Sequence, residues 1–254
     1  MKPLVSMRGA LSDPDLLGVI MGGSSRFAWR AVLIAALGEA LTPDEAEVFF
    51  RLTGRHEAPP EMIDELWAVG GRRGGKSSAI AALVIYLSVL CDHSANLAVG
   101  ERGVVLVLAS NAKQAGVVFS YVAGILESVP ALAALVTNKT NEVISLKNGI
   151  DIEIRAASFR GVRGITAVAV VADEIGYWFS DETSRNPDSD ILAALRPALA
   201  TTQGPLIAIG SPYARRGELW KTFKKDYGAN GDPKILVVSR SQLDASAESC
   251  RSCA

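Results

Sequence analysis

The spacing of hydrophobic positions changes along this chain. Residues 1–60 read as helical, with an Ala- and Leu-rich run from Trp29 to Leu41. Thr42-Pro43-Asp44-Glu45 has the form of a helix start: a hydroxyl cap, a proline in the first turn and acids behind it. That helix is expected to run through Phe50 and Leu52 and stop near Gly54, with Pro59-Pro60 as a connector. Apolar runs of strand length then alternate with helical patterns. Leu66–Val69, Val104–Ala109, Ala167–Ala172, Leu206–Ile209 and Ile235–Val238 read as strands. Ser77–Leu90, Ala112–Leu126, Ile191–Ala200 and Glu218–Tyr227 read as helices. Val143–Leu146 and Ile152–Ile154 form a predicted hairpin around Asn148-Gly149.

Apolar strands separated by helices predict an α/β fold: a mostly parallel sheet flanked by helices, preceded by a short helical N-terminal segment. Ligands in such sheets bind at the carboxyl ends of the strands. Three parts are expected: a helical segment over 1–60, an α/β domain over 61–238, and a tail over 239–254. That tail is rich in Ser, Ala and Cys without periodicity, and reads as flexible or as the edge of a truncation.

The strongest chemical signal is Gly70-Gly71-Arg72-Arg73-Gly74-Gly75-Lys76-Ser77, which fits G-x-x-x-x-G-K-[ST]. It follows a predicted strand and opens a predicted helix, as a phosphate-binding loop must. Glycines let backbone N–H groups turn inward onto phosphate oxygens, and the helix N-terminus adds its dipole. Lys76 then reaches the β- and γ-phosphates of ATP, and the Ser77 hydroxyl binds Mg²⁺. Arg72 and Arg73 point either at phosphate or at solvent, with Arg73 the better placed for phosphate.

The strand Ala167–Ala172 ends in Asp173-Glu174. Paired with the loop, Asp173 is expected to hold Mg²⁺ and Glu174 to activate the attacking water. The protein is therefore expected to be a Mg²⁺-dependent P-loop ATPase. Three further features stay open between two readings. Arg160 and Arg163, set among glycines, supply an arginine finger or are solvated loop charges. Ser211, after Leu206–Ile209, senses the γ-phosphate or simply lies in a strand-to-loop turn. Arg215, Arg216, Lys221, Lys224 and Lys225, interleaved with Trp220 and Phe223, track a nucleic-acid backbone or form a solvated helix face.

Composition narrows the partners. Hydrophobic residues make up 49% and charged residues 21%, which places the chain with globular rather than disordered proteins. The formal net charge is −1, so nucleic-acid contact must come from local basic patches. Asp13, Pro14 and Asp15 interrupt any leader-like run, and the apolar Ala79–Cys91 is shorter than a membrane span and reads as a buried helix. Cys250 and Cys253 have the spacing of half a zinc site, but no second pair follows and both histidines are far upstream, so no zinc site is expected.

GGRRGGKS, SFRGVRG, VVADE and AIGSP followed by RRGELW, in that order, resemble the large terminase subunit of tailed bacteriophages. LTPDEAEVFFRLTGR and IGYWFSDETSRNPDSDILAALRPALAT extend the resemblance over Leu41–Val238. It implies a motor that uses ATP to pump double-stranded DNA into a capsid, working as a homo-oligomeric ring with a portal protein and a small terminase subunit. It implies a phage or prophage protein of the bacterial host cytoplasm, with no membrane partner. Gly70–Ser77 would be its phosphate loop, Asp173 and Glu174 its acids, and Gly210-Ser211-Pro212 the motif that couples hydrolysis to movement. Arg163 would act across subunits, and Phe50–Arg55 would lie near the adenine. Two features depart from the pattern. Family members often carry a glutamine ahead of the loop, whereas the first here is Gln114. Full-length members also carry a nuclease domain, whereas only Asp244 and Glu248 follow Val238, so DNA cleavage is not expected of this chain. Two other functions use the same loop: a helicase-like, nucleic-acid-dependent ATPase, and an ATP-dependent assembly switch that moves no DNA.

Overall fold

The computed structural model describes residues 1–71, 74–110, 112–158, 162, 164–178, 188–211 and 215–239, without the side chains of 112–115. Arg72, Arg73, Arg160, Arg163, Pro212 and residues 240–254, with Asp244, Glu248, Cys250 and Cys253, lie outside the described residues.

The chain opens with β1 (Lys2–Pro3), α1 (Met7–Ser12), α2 (Gly18–Met21), α3 (Phe27–Ala36) and α4 (Pro43–Thr53). β2 (Glu65–Val69) leads through the glycine loop into α5 (Lys76–Val89). β3 (Cys91–Asp92), β4 (Gly103–Ala109), α6 (Ala112–Ser128) and α7 (Pro130–Ala133) follow. Next come β5 (Val136–Lys139), β6 (Val143–Leu146), β7 (Ile150–Ala156) and β8 (Ala167–Ala172). The described order ends with α8 (Asp188–Thr202), β9 (Leu206–Gly210), α9 (Gly217–Asp226) and β10 (Ile235–Ser239).

Eight strands form one sheet in the order β10-β2-β9-β8-β4-β7-β6-β5. The six from β10 to β7 are parallel, and β6 and β5 continue antiparallel. β4 and β8 are buried along their whole length, as strands covered on both faces must be. Their side chains alternate between two cores. Val105, Val107 and Ala109 join the cluster of α3, α4, α5 and α6, while Val104, Leu106 and Leu108 join that of α8 and α9. Met7 and Leu11 of α1, Leu17 at the cap of α2 and Met21 of α2 belong to the same buried cluster as α5.

The local expectations hold at several points. Thr42 and Glu45 form a reciprocal capping box, and Gly54 ends α4 at φ 67°. α5 is buried on every side, which explains why its sequence is apolar all round. The β6–β7 hairpin pairs Ile144 with Ile152. The structure adds what the pattern did not show. β5 extends the hairpin, α8 begins at Asp188 rather than Ile191, and β7 is longer at both ends than Ile152–Ile154. No described helix is long and apolar enough to cross a membrane.

Candidate functional site

β2 carries the glycine loop to α5, and parallel pairing fixes where its end lies. Val69 is opposite Gly210, and the Gly70 N–H donates to the Gly210 carbonyl at 3.2 Å. Gly75 has φ 76°, a left-handed conformation that glycine adopts without steric cost. Lys76 is buried at the start of α5, and its ammonium donates to the carbonyls of Gly70 and Gly71, the latter at 2.8 Å. Ser77, one residue on, is half-buried.

β8 delivers the acids. The Asp173 N–H donates to the Leu108 carbonyl of β4 at 2.7 Å, and the indole N–H of Trp178 donates to the Asp173 carbonyl at 3.0 Å. The chain then turns sharply at Glu174, which has φ 49° and ψ 43°. A left-handed non-glycine residue costs about 1–2 kcal/mol, and such strain concentrates at functional sites. The turn directs the Glu174 carboxylate back to the sheet, where its Oε2 accepts from the Ser211 N–H at 3.1 Å.

Asp173 is 6% exposed. Burial pushes its carboxyl up from 3.8 to about 7, the Glu174 charge adds to the rise, and the Glu174 backbone N–H and the Lys76 charge oppose it. The folded chain therefore binds a proton that the unfolded chain has released between these two values. Its stabilising contribution is present below the lower value and is lost as pH rises through about 7. We expect metal-free protein to lose about 3 kcal/mol from this group between pH 5 and 8, and Asp173→Asn to remove that loss. Urea melts at both pH values measure it. Parallel pH profiles for the two proteins would refute the assignment.

β9 lies between β2 and β8, so Gly210 and Ser211 sit between the loop and the acids. A Cβ on Gly210 would come within 2.8 Å of the Leu219 side chain of α9 and 3.4 Å of Gly176 N, which is why this strand end has no side chain. Ser211 is 8% exposed, and its buried hydroxyl has no partner among the described residues.

Gly70, Gly71, Gly74, Gly75, Lys76, Ser77, Asp173, Glu174, Gly210 and Ser211 thus meet at one end of the sheet. Arg55 does not join them. Its guanidinium donates to the carbonyls of Asp232, at 2.6 Å, and Ile235, and Ile235 pairs with Glu65 at the opposite end of β2. The Arg55 end of the segment expected near adenine is therefore tied far from the loop. α3 comes to the loop instead. The Trp29 indole donates to the Gly74 carbonyl at 2.8 Å, and the Arg26 guanidinium lies where a Cβ on Gly75 would meet it at 2.7 Å. Neither contact has a local signal, because Trp29 is 45 residues upstream of Gly74. Asp188, buried at the start of α8, accepts from the N–H groups of Ser189 and Glu218 at 2.8 and 2.7 Å.

A glycine loop after β2, paired acids after β8 and an intervening β9 have the arrangement of the P-loop fold. Solved structures narrow this to one variety. The large terminase ATPase domain of Thermus phage P74-26 is similar over 91% of this chain and 90% of its own, with TM-score 0.55 and 17% identity. A point mutant of the same domain is similar over 81% of this chain and 89% of its own, with TM-score 0.54. The large terminase of bacteriophage HK97 matches over 81% of this chain and 42% of its own, with TM-score 0.51 and 19% identity. No family model matches the chain, and no curated protein matches it in sequence. At these identities the likeness shows the fold, that of the large terminase ATPase domain.

Proposed function

We propose that this chain hydrolyses ATP to drive double-stranded DNA into a capsid, as the motor domain of a bacteriophage large terminase. The observation that carries the reading is the meeting of three strand ends. Gly210 holds the loop through Gly70, and Ser211 holds Glu174, with Lys76 close enough to lower the proton affinity of Asp173. The terminase assignment is supported by the fold likeness and by the order of the loop, acid and Gly-Ser-Pro segments.

The site suits Mg²⁺. Asp173 is a buried carboxylate with no ion-pair partner among the described residues, and a cation would neutralise it. Mg²⁺, when bound, supplies charge neutralisation of the phosphates, with Ser77 and Asp173 as its ligands. Lys76 exchanges its loop carbonyls for the β- and γ-phosphates. The N–H groups of the loop hold phosphate oxygens. Glu174 accepts a proton from the attacking water while the Ser211 N–H keeps its carboxylate aligned.

DNA contact is assigned to α9. Arg215, Arg216, Lys221, Lys224 and Lys225 are all exposed, while Leu219 packs against Gly210. A shift of the Ser211 turn during turnover would reach the basic face through that contact. A ring of copies, a portal protein and a small terminase subunit complete the proposed machine in the bacterial cytoplasm. A phosphate-release assay tests it. Duplex DNA is expected to stimulate turnover, and replacing Lys221, Lys224 and Lys225 by alanine is expected to remove most of that stimulation while sparing basal turnover. Stimulation by single strands alone would favour the helicase-like reading, and no stimulation the assembly switch.

A further inference from the structure

Two tryptophans outside the glycine loop and the acid pair make the same local contact. Trp29 of α3 donates its indole N–H to the Gly74 carbonyl at 2.8 Å, and Trp178 donates to the Asp173 carbonyl at 3.0 Å. In each case the residue after that carbonyl is left-handed: Gly75 at φ 76° and Glu174 at φ 49°. Both tryptophans are buried, at 5% and 6% exposure.

A trans peptide is planar, so its carbonyl and the following N–H point in opposite directions. Holding the Gly74 carbonyl toward α3 therefore aims the Gly75 N–H away from α3. Holding the Asp173 carbonyl on Trp178 turns the Glu174 N–H away from Trp178. Without such a tether a glycine peptide rotates at little cost, and a left-handed glutamate relaxes toward the right-handed region. A buried indole N–H that lost its acceptor would also be penalised, so the contact is favoured from both sides. The Arg26 guanidinium over Gly75 backs the same peptide.

We propose that Trp29 and Trp178 are positioning residues of the nucleotide site, each fixing one left-handed peptide. Trp29 sets the phosphate-loop N–H of Gly75, and Trp178 sets the direction of the Glu174 carboxylate. The proposal rests on the nucleotide-site reading above and adds that the N-terminal helices are part of the site's geometry.

The test replaces each tryptophan, in the full chain, by benzothienylalanine, which keeps the shape of indole with sulfur in place of the N–H. At position 29 the KM for ATP and the Kd for ADP should rise about ten-fold, with kcat and Tm little changed. At position 178 kcat should fall about ten-fold with the ADP Kd retained. Trp29→Phe and Trp178→Phe should reproduce the two directions. A wild-type chain that binds ADP, beside isosteres that bind and turn over equally well, would sink the tether alone. So would isosteres that lose KM and kcat together in step with Tm. A wild-type chain that binds no nucleotide would sink the site reading and the tether with it.

Discussion

Lys76→Ala is expected to abolish ATP turnover, with a loss on the order of 10²-fold or more. Lys76 is buried at the start of α5, and its ammonium lies against the carbonyls of Gly70 and Gly71. It is the only cation that the described part of the loop presents, and its charge already reaches Asp173. Phosphate oxygens would replace those carbonyls as its acceptors, with the stronger interaction that a charge-assisted bond gives. Alanine leaves the developing charge on the phosphates without that partner and removes the two carbonyl contacts as well. Phosphate release and calorimetric titration with ATP measure the loss, and circular dichroism checks that α5 still folds. Turnover near the wild-type rate would show that the loop is not the catalytic phosphate site.

Glu174→Gln should separate binding from chemistry. Glutamine keeps a carbonyl oxygen that can accept from the Ser211 N–H, so the turn can stay in place. It cannot take a proton from water. Turnover is therefore expected to fall by about 10²–10⁴ while Mg-ATP still binds. Asp173→Asn should instead weaken the dependence on magnesium, because the buried carboxylate is the proposed ligand. Titrations with ATP at graded Mg²⁺ distinguish the two. An equal loss of Mg-ATP affinity in both variants would merge the roles assigned to them. Glu174→Gly gives a further control. Glycine relieves the strain at φ 49° but removes the acceptor of the Ser211 N–H, so this variant should be inactive with a stability within about 1 kcal/mol of wild type, as urea melts would measure.

The glycine loop and the acid pair proposed as the nucleotide site were legible in the sequence because their requirements are local. A glycine loop between an apolar strand and a helix has the phosphate-loop pattern, and two acids directly after a fully apolar strand mark where that strand ends. The Thr42–Glu45 box, the Gly54 stop and the Asn148-Gly149 hairpin are local in the same sense. β5 escaped notice because Val136–Lys139 is mostly exposed and carries no apolar alternation to mark an edge strand.

Strand order was not legible, and it decides the site. β4 and β8 are buried on both faces, so their sequences hold no alternation that would choose a neighbour. Only packing of the whole sheet puts β9 between β2 and β8, and with it Gly210 against the loop and Ser211 against Glu174. Distant contacts were invisible for the same reason. In the sequence Trp29 is one apolar residue of a helix and Arg55 a charge near a helix end. Folding brings the first onto Gly74 and ties the second to β10, at the opposite end of the sheet. By itself, then, the sequence determined where a glycine loop and a pair of acids end apolar strands, through backbone freedom, charge and period. The tertiary structure alone decided how those peptides are held and aimed, because that depends on side chains supplied from parts of the chain remote in sequence.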